Sequence, residues 1–332
     1  MQYKDMISSE KSLRGIVGHY PKMLDKRILS KLDQHCIDYL CASKFCIVSI
    51  DLASDRHVFL SPSISSNLSL NDAKKITLNI DKNEQGILAS SPLSSHPCSL
   101  YLLIPGVEFG LRINGSCHLH GNSLCIYISQ AYVHCARAAV RSKLWHKSTN
   151  TAPITSASEF IKKSFYALLC TKNSKSESEI SPRGDLGPVV FHTESGCLLL
   201  PERPGNKVAV SLRNILQNPK VTLCLLIPGQ ASYLVIHATA YITNNPALLS
   251  ALAIKGKIPK LAIHLSPIKQ ELKSFPAFDD NNIWCPEHHV DEGSLPPFPK
   301  ILSEHMHGTG LHGKVTTKLV HAVVKHDRKH LY

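Results

Sequence analysis

The chain lacks the features that mark membrane, secreted and fibrous proteins. Its 332 residues contain no run of eighteen or more apolar positions, which argues against a hydrophobic transmembrane helix. The first five residues lack the apolar core of a signal peptide. Aromatic residues make up only 6% of the sequence and glycine occupies only 17 positions, so neither a fibrous nor a disordered class fits. With hydrophobic residues at 43%, the sequence predicts a globular cytoplasmic protein of about two domains.

The cysteines show no pairing pattern. The 11 Cys include no Cys-x-x-Cys pair, and Cys36, Cys46, Cys170 and Cys224 all fall inside apolar runs. Such cysteines behave as small buried hydrophobes in a reducing compartment. We therefore expect free thiols rather than a disulfide framework.

The chain is basic, with a formal net charge of +12. Lys and Arg are spread along it and cluster only at residues 22–31 and 314–329. A charge of this size suits nucleic acid, an anionic cofactor or a solvated surface. Nucleic acid has only the charge in its favour, because aromatic residues for base stacking are not interleaved with the basic ones. The sequence therefore favours a phosphate-bearing small ligand over nucleic acid, and it predicts no membrane contact.

One run in the second half predicts two strands, a loop and a helix. Residues 181–185 and 198–200 have the character of strands, and a loop with Pro, Gly, Asn and Lys follows them. The apolar residues between 208 and 216 then have helical spacing. Asn206 is expected to cap this helix, whose positive end beside Lys207 would favour a bound phosphate.

These segments resemble the pyridoxamine 5'-phosphate oxidase-like family of FMN-binding split β-barrels. The resemblance is to the branch with an SPRGD strand (181–185), a PERPGN loop (201–206) and an SLRNIL helix (211–216). It is closest over residues 160–242 and weaker over 13–50. It implies a mainly β fold with flanking helices, FMN as the cofactor, and a dimer with the cofactor in the groove between two barrels.

The resemblance also implies a set of residues that contact FMN. They are Ser181, Arg183, Asp185, Arg203, Asn206, Lys207 and Ser211. Arg183 is central to the prediction, because a guanidinium fork can hold two acceptors of a phosphate or ring edge. The alternative for Arg183 is an ion pair with Asp185, two positions on along the same strand face.

Internal repetition predicts two barrels in tandem. Two pairs of segments share residues: 61–63 with 181–183, and 102–106 with 225–229. The first copy has Ser63 at the position of Arg183, and its residues 79–95 contain neither the Pro-Gly-Asn-Lys loop nor the SLRNIL pattern. We therefore expect the first copy to lack a flavin site and to form a wall of the groove. Both an intramolecular pseudo-dimer and a homodimer of fused chains remain open.

Three segments are predicted along the chain. Residues 1–148 form a degenerate N-terminal barrel with a leading helix over 23–40, and residues 149–275 form the FMN-binding barrel. The boundary follows from a Ser/Thr-rich linker near residue 150. Residues 276–332 form a loop-rich, His-containing tail with a short helix beginning near 314.

The predicted function is that of an FMN-dependent oxidoreductase with an unknown substrate and a donor such as a nicotinamide nucleotide. The flavin ring would carry the redox chemistry, and no catalytic residue is identified. No segment supplies a substrate motif for vitamin B6 oxidation. The alternative is a non-catalytic flavin- or haem-binding barrel, since some relatives degrade haem through tail histidines. The histidines of residues 285–289 and 304–307 match no closed zinc template, so no metal site is predicted.

Overall fold

The computed structural model describes residues 5–53, 55–63, 67–146, 152–308 and 331. Its fifteen described strands begin with β1 (Met6–Ile7). The first sheet contains β2 (Phe45–Asp51), β3 (Arg56–Pro62), β4 (Leu68–Asp72), β5 (Lys75–Asn79), β6 (His96–Leu103), β7 (Gly110–His120) and β8 (Ser123–His134). The second contains β9 (Tyr166–Lys172), β10 (Ser178–Gly184), β11 (Phe191–His192), β12 (Leu198–Pro201), β13 (Lys220–Leu226), β14 (Ser232–Thr243) and β15 (Ala262–Ser274). We call these sheets the first and second barrel.

The two barrels have the same topology. The strand order is β3-β2-β6-β7-β8-β5-β4 in the first and β10-β9-β13-β14-β15-β12-β11 in the second, so each strand corresponds to the one seven places later. Neighbouring strands are antiparallel throughout both sheets. The predicted mainly β fold with flanking helices, built as two copies in tandem, is confirmed.

Short helices flank the sheets. They are α1 (Glu10–Val17), α2 (Gln34–Ala42), α3 (Lys82–Ala89), α4 (Arg137–Ser142), α5 (Ala157–Lys163), α6 (Val210–Gln217), α7 (Pro246–Ser250), α8 (Ala277–Asp280) and α9 (Phe298–His307). The longest of these described helices has ten residues, so none has the length and apolar character needed to cross a bilayer. Helices α3 and α6 are equivalent, since each follows the corresponding strand, β5 or β12, in its barrel.

Two sequence predictions about helices have different outcomes. The single helix expected over residues 23–40 is wrong: a 3-10 turn (Lys22–Arg27) is followed by α2. The break occurs because the Asp33 carboxylate accepts the Cys36 backbone N–H at 2.9 Å and caps a new helix. The final helix expected from residue 314 and the boundary expected near 150 lie outside the described residues.

Residues 5–17 and helix α9 pack on opposite barrels. Strand β1 pairs with β14, and Leu13 of α1 is buried in the core of the second barrel. In contrast, Phe298 and Ile301 of α9 are buried in the core of the first barrel. The N-terminal residues 5–17 therefore lie with the second barrel, and the described part of the tail reaches back to the first.

A third apolar core lies between the barrels. Phe45 and Tyr101 from the first barrel meet Tyr166 and Leu168 from the second. Strand β2 is consequently buried along its whole length. Burial on both faces explains why the strand starts with four consecutive apolar residues, Phe45–Val48, rather than with an alternating pattern.

The two barrels approach each other closely at Gly184, where β10 meets α4. A Cβ on Gly184 would overlap the backbone carbonyl oxygen of Ala138. We expect Gly184→Ala to lower the free energy of unfolding by about 1–3 kcal/mol, because the barrels would have to separate. Urea denaturation measures this change.

Gly187→Ala is the matched control for Gly184→Ala. No heavy atom lies within 4 Å of a Cβ built on Gly187, so we expect a change below about 0.5 kcal/mol. Equal stability of the two variants would contradict the tight contact between β10 and α4.

Candidate anion-binding cleft between the barrels

A cleft of about 110 Å³ lies where the two barrels meet. Its first wall comes from the first half of the chain: the turn at Arg27, the strands β7 and β8, and α4. Its second wall comes from β10, the loop 202–209 and the start of α6. Both walls therefore belong to one chain.

The cleft is strongly cationic. Six arginines line it: Arg27, Arg112, Arg137, Arg141, Arg183 and Arg203. Three carboxylates oppose them: Glu179, Asp185 and Glu202. An excess of positive charge in a narrow cleft concentrates anions.

The equivalent groove of the other copy has a different charge. It is lined by the end of β3, by residues 79–84 and by the end of β15, and its charged residues are Asp81, Glu84 and Lys273. The connection from β5 to α3 has only two residues, whereas loop 202–209 has eight. Ser63, at the position of Arg183, is buried and shares a hydrogen bond of 2.7 Å with Ser43. These differences support the expectation that the first copy lacks a flavin site.

Arg183 lies at the centre of the second wall. Its Nη1 donates to the Glu202 carboxylate at 2.5 Å, and its Nη2 donates to Ser211 Oγ at 3.0 Å. Its Nε is buried and has no hydrogen-bond partner among the described residues. The alternative ion pair of Arg183 with Asp185 is not the pairing found.

Asp185 instead holds the loop. Its Oδ2 accepts a hydrogen bond from Arg203 Nε at 2.7 Å, and both side chains are almost fully buried. Arg203 Nη2 also donates to the Leu252 carbonyl at 2.9 Å. This pair joins loop 202–209 to the end of β10 and so fixes the conformation of the loop.

The remaining predicted residues divide between two cavities. Ser181 lines the cleft. Asn206 lies in loop 202–209, which separates the cleft from a second cavity on its other side. Lys207, at φ 63°, lines the neighbouring cavity, where its side chain approaches Gly18. The structure therefore brings Ser181, Arg183 and Ser211 together in the cleft and places the Lys207 side chain elsewhere.

The predicted helix cap at Asn206 is wrong. Its Oδ1 accepts the Val208 N–H at 3.1 Å and so closes a turn before the helix. The residue preceding α6 is Ala209, at φ 56°, and no side chain caps the helix. Because Val210 and Ser211 line the cleft, the uncapped first turn of α6 adds its partial positive charge there.

The sequence prediction missed the arginines of the first half. Arg112 is buried on β7, and its Nη1 donates to Glu179 of the second barrel and to Tyr132 Oη. Burial alone would lower the pKa of Arg112, but the Glu179 charge raises it above its usual range. Its Nε and Nη2 have no partner among the described residues. The sequence does contain a signal for this residue, because an arginine between apolar residues of a strand indicates a buried charge with a specific partner.

Helix α4 reaches across the cleft to the loop. Arg137 Nη1 and Arg141 Nη2 donate to the Pro204 carbonyl at 3.2 and 2.6 Å. Arg141 also donates twice to the Leu331 carbonyl, at 2.9 and 2.6 Å. The first barrel thereby holds the loop of the second in position.

His134 is a neutral imidazole at the cleft. Burial lowers its pKa well below the usual 6.5, and the charges of Arg112 and Arg27 lower it further. Its Nδ1 lies 3.2 Å from the Cys135 carbonyl. At neutral pH this side chain therefore adds no charge.

A second cavity of about 520 Å³ lies on the other side of loop 202–209. Ile16, Ile258 and Leu261 contribute apolar surface, and Lys207 and Lys260 contribute charge. The loop is thus a shared wall between a small cationic cleft and a larger, more apolar cavity.

Trp145, His289 and His305 do not line the cleft. Trp145 is buried between the barrels and donates to the Val107 carbonyl at 2.7 Å, so it packs in the core. His289 contacts the Trp145 ring, and His305 pairs with Asp33 at 2.8 Å.

No protein-family model matches the chain, and no curated protein matches it. Three solved structures illustrate what it is similar to. HupZ of Group A Streptococcus is 14% identical, covering 37% of this chain and 98% of its own, with a TM-score of 0.30. HutZ of Vibrio cholerae, described as a haem storage protein, is 15% identical, covering 36% of this chain and 92% of its own, with a TM-score of 0.29. A candidate pyridoxamine 5'-phosphate oxidase of Lactobacillus delbrueckii is 19% identical, covering 38% of this chain and 99% of its own, with a TM-score of 0.28.

Removing one partner of the buried pair of Asp185 and Arg203 should cost far more stability than removing one partner of the pair of Glu202 and Arg183. We expect Asp185→Asn to cost about 3–5 kcal/mol, because it leaves a buried guanidinium without its counter-charge. Glu202 is partly exposed, so Glu202→Gln is expected to cost less than about 1 kcal/mol. Chemical denaturation of both variants tests the difference, and similar losses would contradict it.

His134 should make the fold sensitive to acid. Because its pKa is lower in the folded state, its contribution is present above pH 6.5 and is lost as the pH falls below that value. We expect stability to fall by up to about 1.4 kcal/mol more per pH unit in the unmodified chain than in His134→Gln. Denaturation at pH 7.5 and 5.5 measures this slope.

The exposed His146 provides the control for the pH measurement. A His146→Gln variant with the same pH slope as the unmodified chain supports the assignment to His134. An unchanged slope in His134→Gln would refute it.

Proposed function

We propose that the chain is a flavoprotein that binds FMN through its phosphate in the cationic cleft. The proposal places it in the SPRGD/PERPGN branch of the pyridoxamine 5'-phosphate oxidase-like family. One observation carries it: Arg27, Arg112 and Arg183 each have a buried N–H without a partner among the described residues. These three arginines line one cleft. A phosphate supplies several acceptor oxygens and the charge that such donors require.

The size of the cleft indicates which part of the cofactor it suits. Pockets that bury a whole small ligand usually measure about 300–1,000 Å³. At about 110 Å³, the cleft suits a phosphate rather than an entire FMN.

The residues then have distinct roles. Arg183 and Ser211 would hold the phosphate at the second wall, and Arg112 would hold it at the first. Asp185 and Arg203 position the loop without needing to touch the ligand. FMN itself would supply electron transfer, and a donor such as a nicotinamide nucleotide would reduce it in an oxidoreductase. Since one chain provides both walls, an intramolecular pseudo-dimer is sufficient for this site.

Haem is the second candidate ligand, and His134 is the observation that favours it. An imidazole held neutral at the cleft is the form that binds iron. The small volume of the cleft favours the phosphate ligand over a macrocycle. The visible spectrum separates the two, because haem gives a Soret band and oxidised flavin does not.

Titration of the purified chain with FMN tests the proposal. We expect Arg183→Ala to weaken FMN affinity by about 10- to 100-fold, as expected for the loss of a charge-assisted contact. Arg213→Ala is the matched control, because Arg213 lies on α6, the helix that carries Ser211, but pairs with Glu10 at 3.0 Å outside the cleft. Flavin fluorescence quenching measures both affinities.

Lys207→Ala distinguishes the two cavities. If the phosphate binds in the cleft, this variant should lose less than about threefold in affinity, since its side chain faces the other cavity. A large loss in Lys207→Ala with no change in Arg183→Ala would move the phosphate to the second cavity. No FMN binding by the unmodified chain would overturn the proposal.

A further inference from the structure

We propose that Asp33, Cys36 and His305 form a Zn²⁺ site that joins α9 to the start of α2. Each side chain offers one ligand atom, and the three atoms lie within 4.8 Å of one another. The site is on the first barrel, and none of its members lines the cationic cleft. The proposal is therefore independent of FMN.

The helices bring these residues together for separate reasons. Asp33 caps α2 and Cys36 is three residues later, so their side chains share one face at the helix start. Helix α9 packs over that face because Phe298 stacks on Phe109 with ring centroids 4.8 Å apart. His305, in the last turn of α9, then meets Asp33 with its Nε2 2.8 Å from Oδ2.

The ligand types suit zinc. A thiolate, an imidazole and a carboxylate are the side chains that bind this ion, with metal–ligand distances of about 2.0–2.3 Å. Tetrahedral geometry then requires separations of about 3.3–3.6 Å between ligand atoms. In the structure His305 Nε2 and Asp33 Oδ2 are 2.8 Å apart, and all three ligand atoms lie within 4.8 Å of one another. Side-chain movements of about 1 Å or less would therefore bring the three atoms to tetrahedral separations.

An ion pair alone does not account for the arrangement. A second pair, His35 with Glu304 at 2.6 Å, already joins the same two helices, and the His35 and His305 rings are 6.1 Å apart. The additional feature is a buried thiol beside the His305 and Asp33 pair. An imidazole, a carboxylate and a thiol that lie together can all bind the same metal ion.

Zn²⁺ binding requires a change in the protonation of the ligands. The Cys36 thiol loses its proton to solvent, and His305 binds Zn²⁺ through Nε2 as a neutral imidazole that keeps one proton, on Nδ1. The direct hydrogen bond between His305 and Asp33 is then replaced by two bonds to the ion. Asp33 is about one-third exposed, which gives the ion a path from solvent. A water molecule would complete the fourth position, as in other sites with three protein ligands.

Cobalt substitution in the untagged full chain tests the site. We expect one equivalent of Co²⁺ to bind with a near-ultraviolet thiolate-to-cobalt band and tetrahedral visible bands, both displaced by Zn²⁺. Cys36→Ser should abolish the thiolate band, and His305→Gln should weaken Co²⁺ affinity by roughly 100-fold. Circular dichroism confirms that each variant is folded.

Two controls lie on the same helices. Cys41 is exposed on α2, and His307 ends α9, so Cys41→Ser and His307→Gln should keep both the band and the affinity. Failure of the folded unmodified chain to bind Co²⁺ or Zn²⁺ would overturn the proposal. So would a thiolate band that survives Cys36→Ser but disappears in Cys41→Ser. If Cys36→Ser does not fold, the His305→Gln affinity decides the question.

Discussion

The Glu179 carboxylate is the contact on which the geometry between the barrels depends. It extends from β10 of the second barrel and meets three side chains of the first: Arg112, Tyr132 at 2.9 Å and Asn114 at 2.8 Å. Burying such a group is costly, so the net contribution of the network to stability is small. Removal of Arg112 or Glu179 leaves an unmatched buried charge, however, and this penalty selects one orientation of the barrels. The cleft exists because that orientation places Arg112 opposite Arg183.

The two barrels have diverged in the parts that matter for an anion. Their strand orders match element for element, and a helix occupies the same place in each. The eight-residue loop before α6 opens a cleft beneath the helix start, whereas the two-residue connection before α3 leaves no such loop. Charge follows the same division, since six arginines face three carboxylates at one groove, whereas one lysine faces two carboxylates at the other. One barrel pair thus offers one cationic cleft, with the first barrel contributing its C-terminal helix as a wall.

The part of the site that was predictable from sequence is the part carried by contiguous residues. Ser181, Arg183 and Ser211 lie in segments with clear strand and helix patterns, and the structure brings them together. Asn206 and Lys207 were predicted from the same run, but positive φ at Lys207 turns its side chain away. Backbone conformation in a short loop depends on what packs against it, here the α4 arginines bonded to Pro204. No local pattern contains that information.

The sequence by itself determined the strands, the repeat and the identity of one wall of the cleft, because periodicity and adjacent motifs are local properties of the chain. Only the tertiary structure decided that Arg112, more than sixty residues before Glu179, faces the same cleft, and that Asp33 and Cys36 meet His305 from the far end of the chain. Such juxtapositions arise from apolar burial between barrels and between helices. They depend on the summed packing of many residues, so no single segment encodes them.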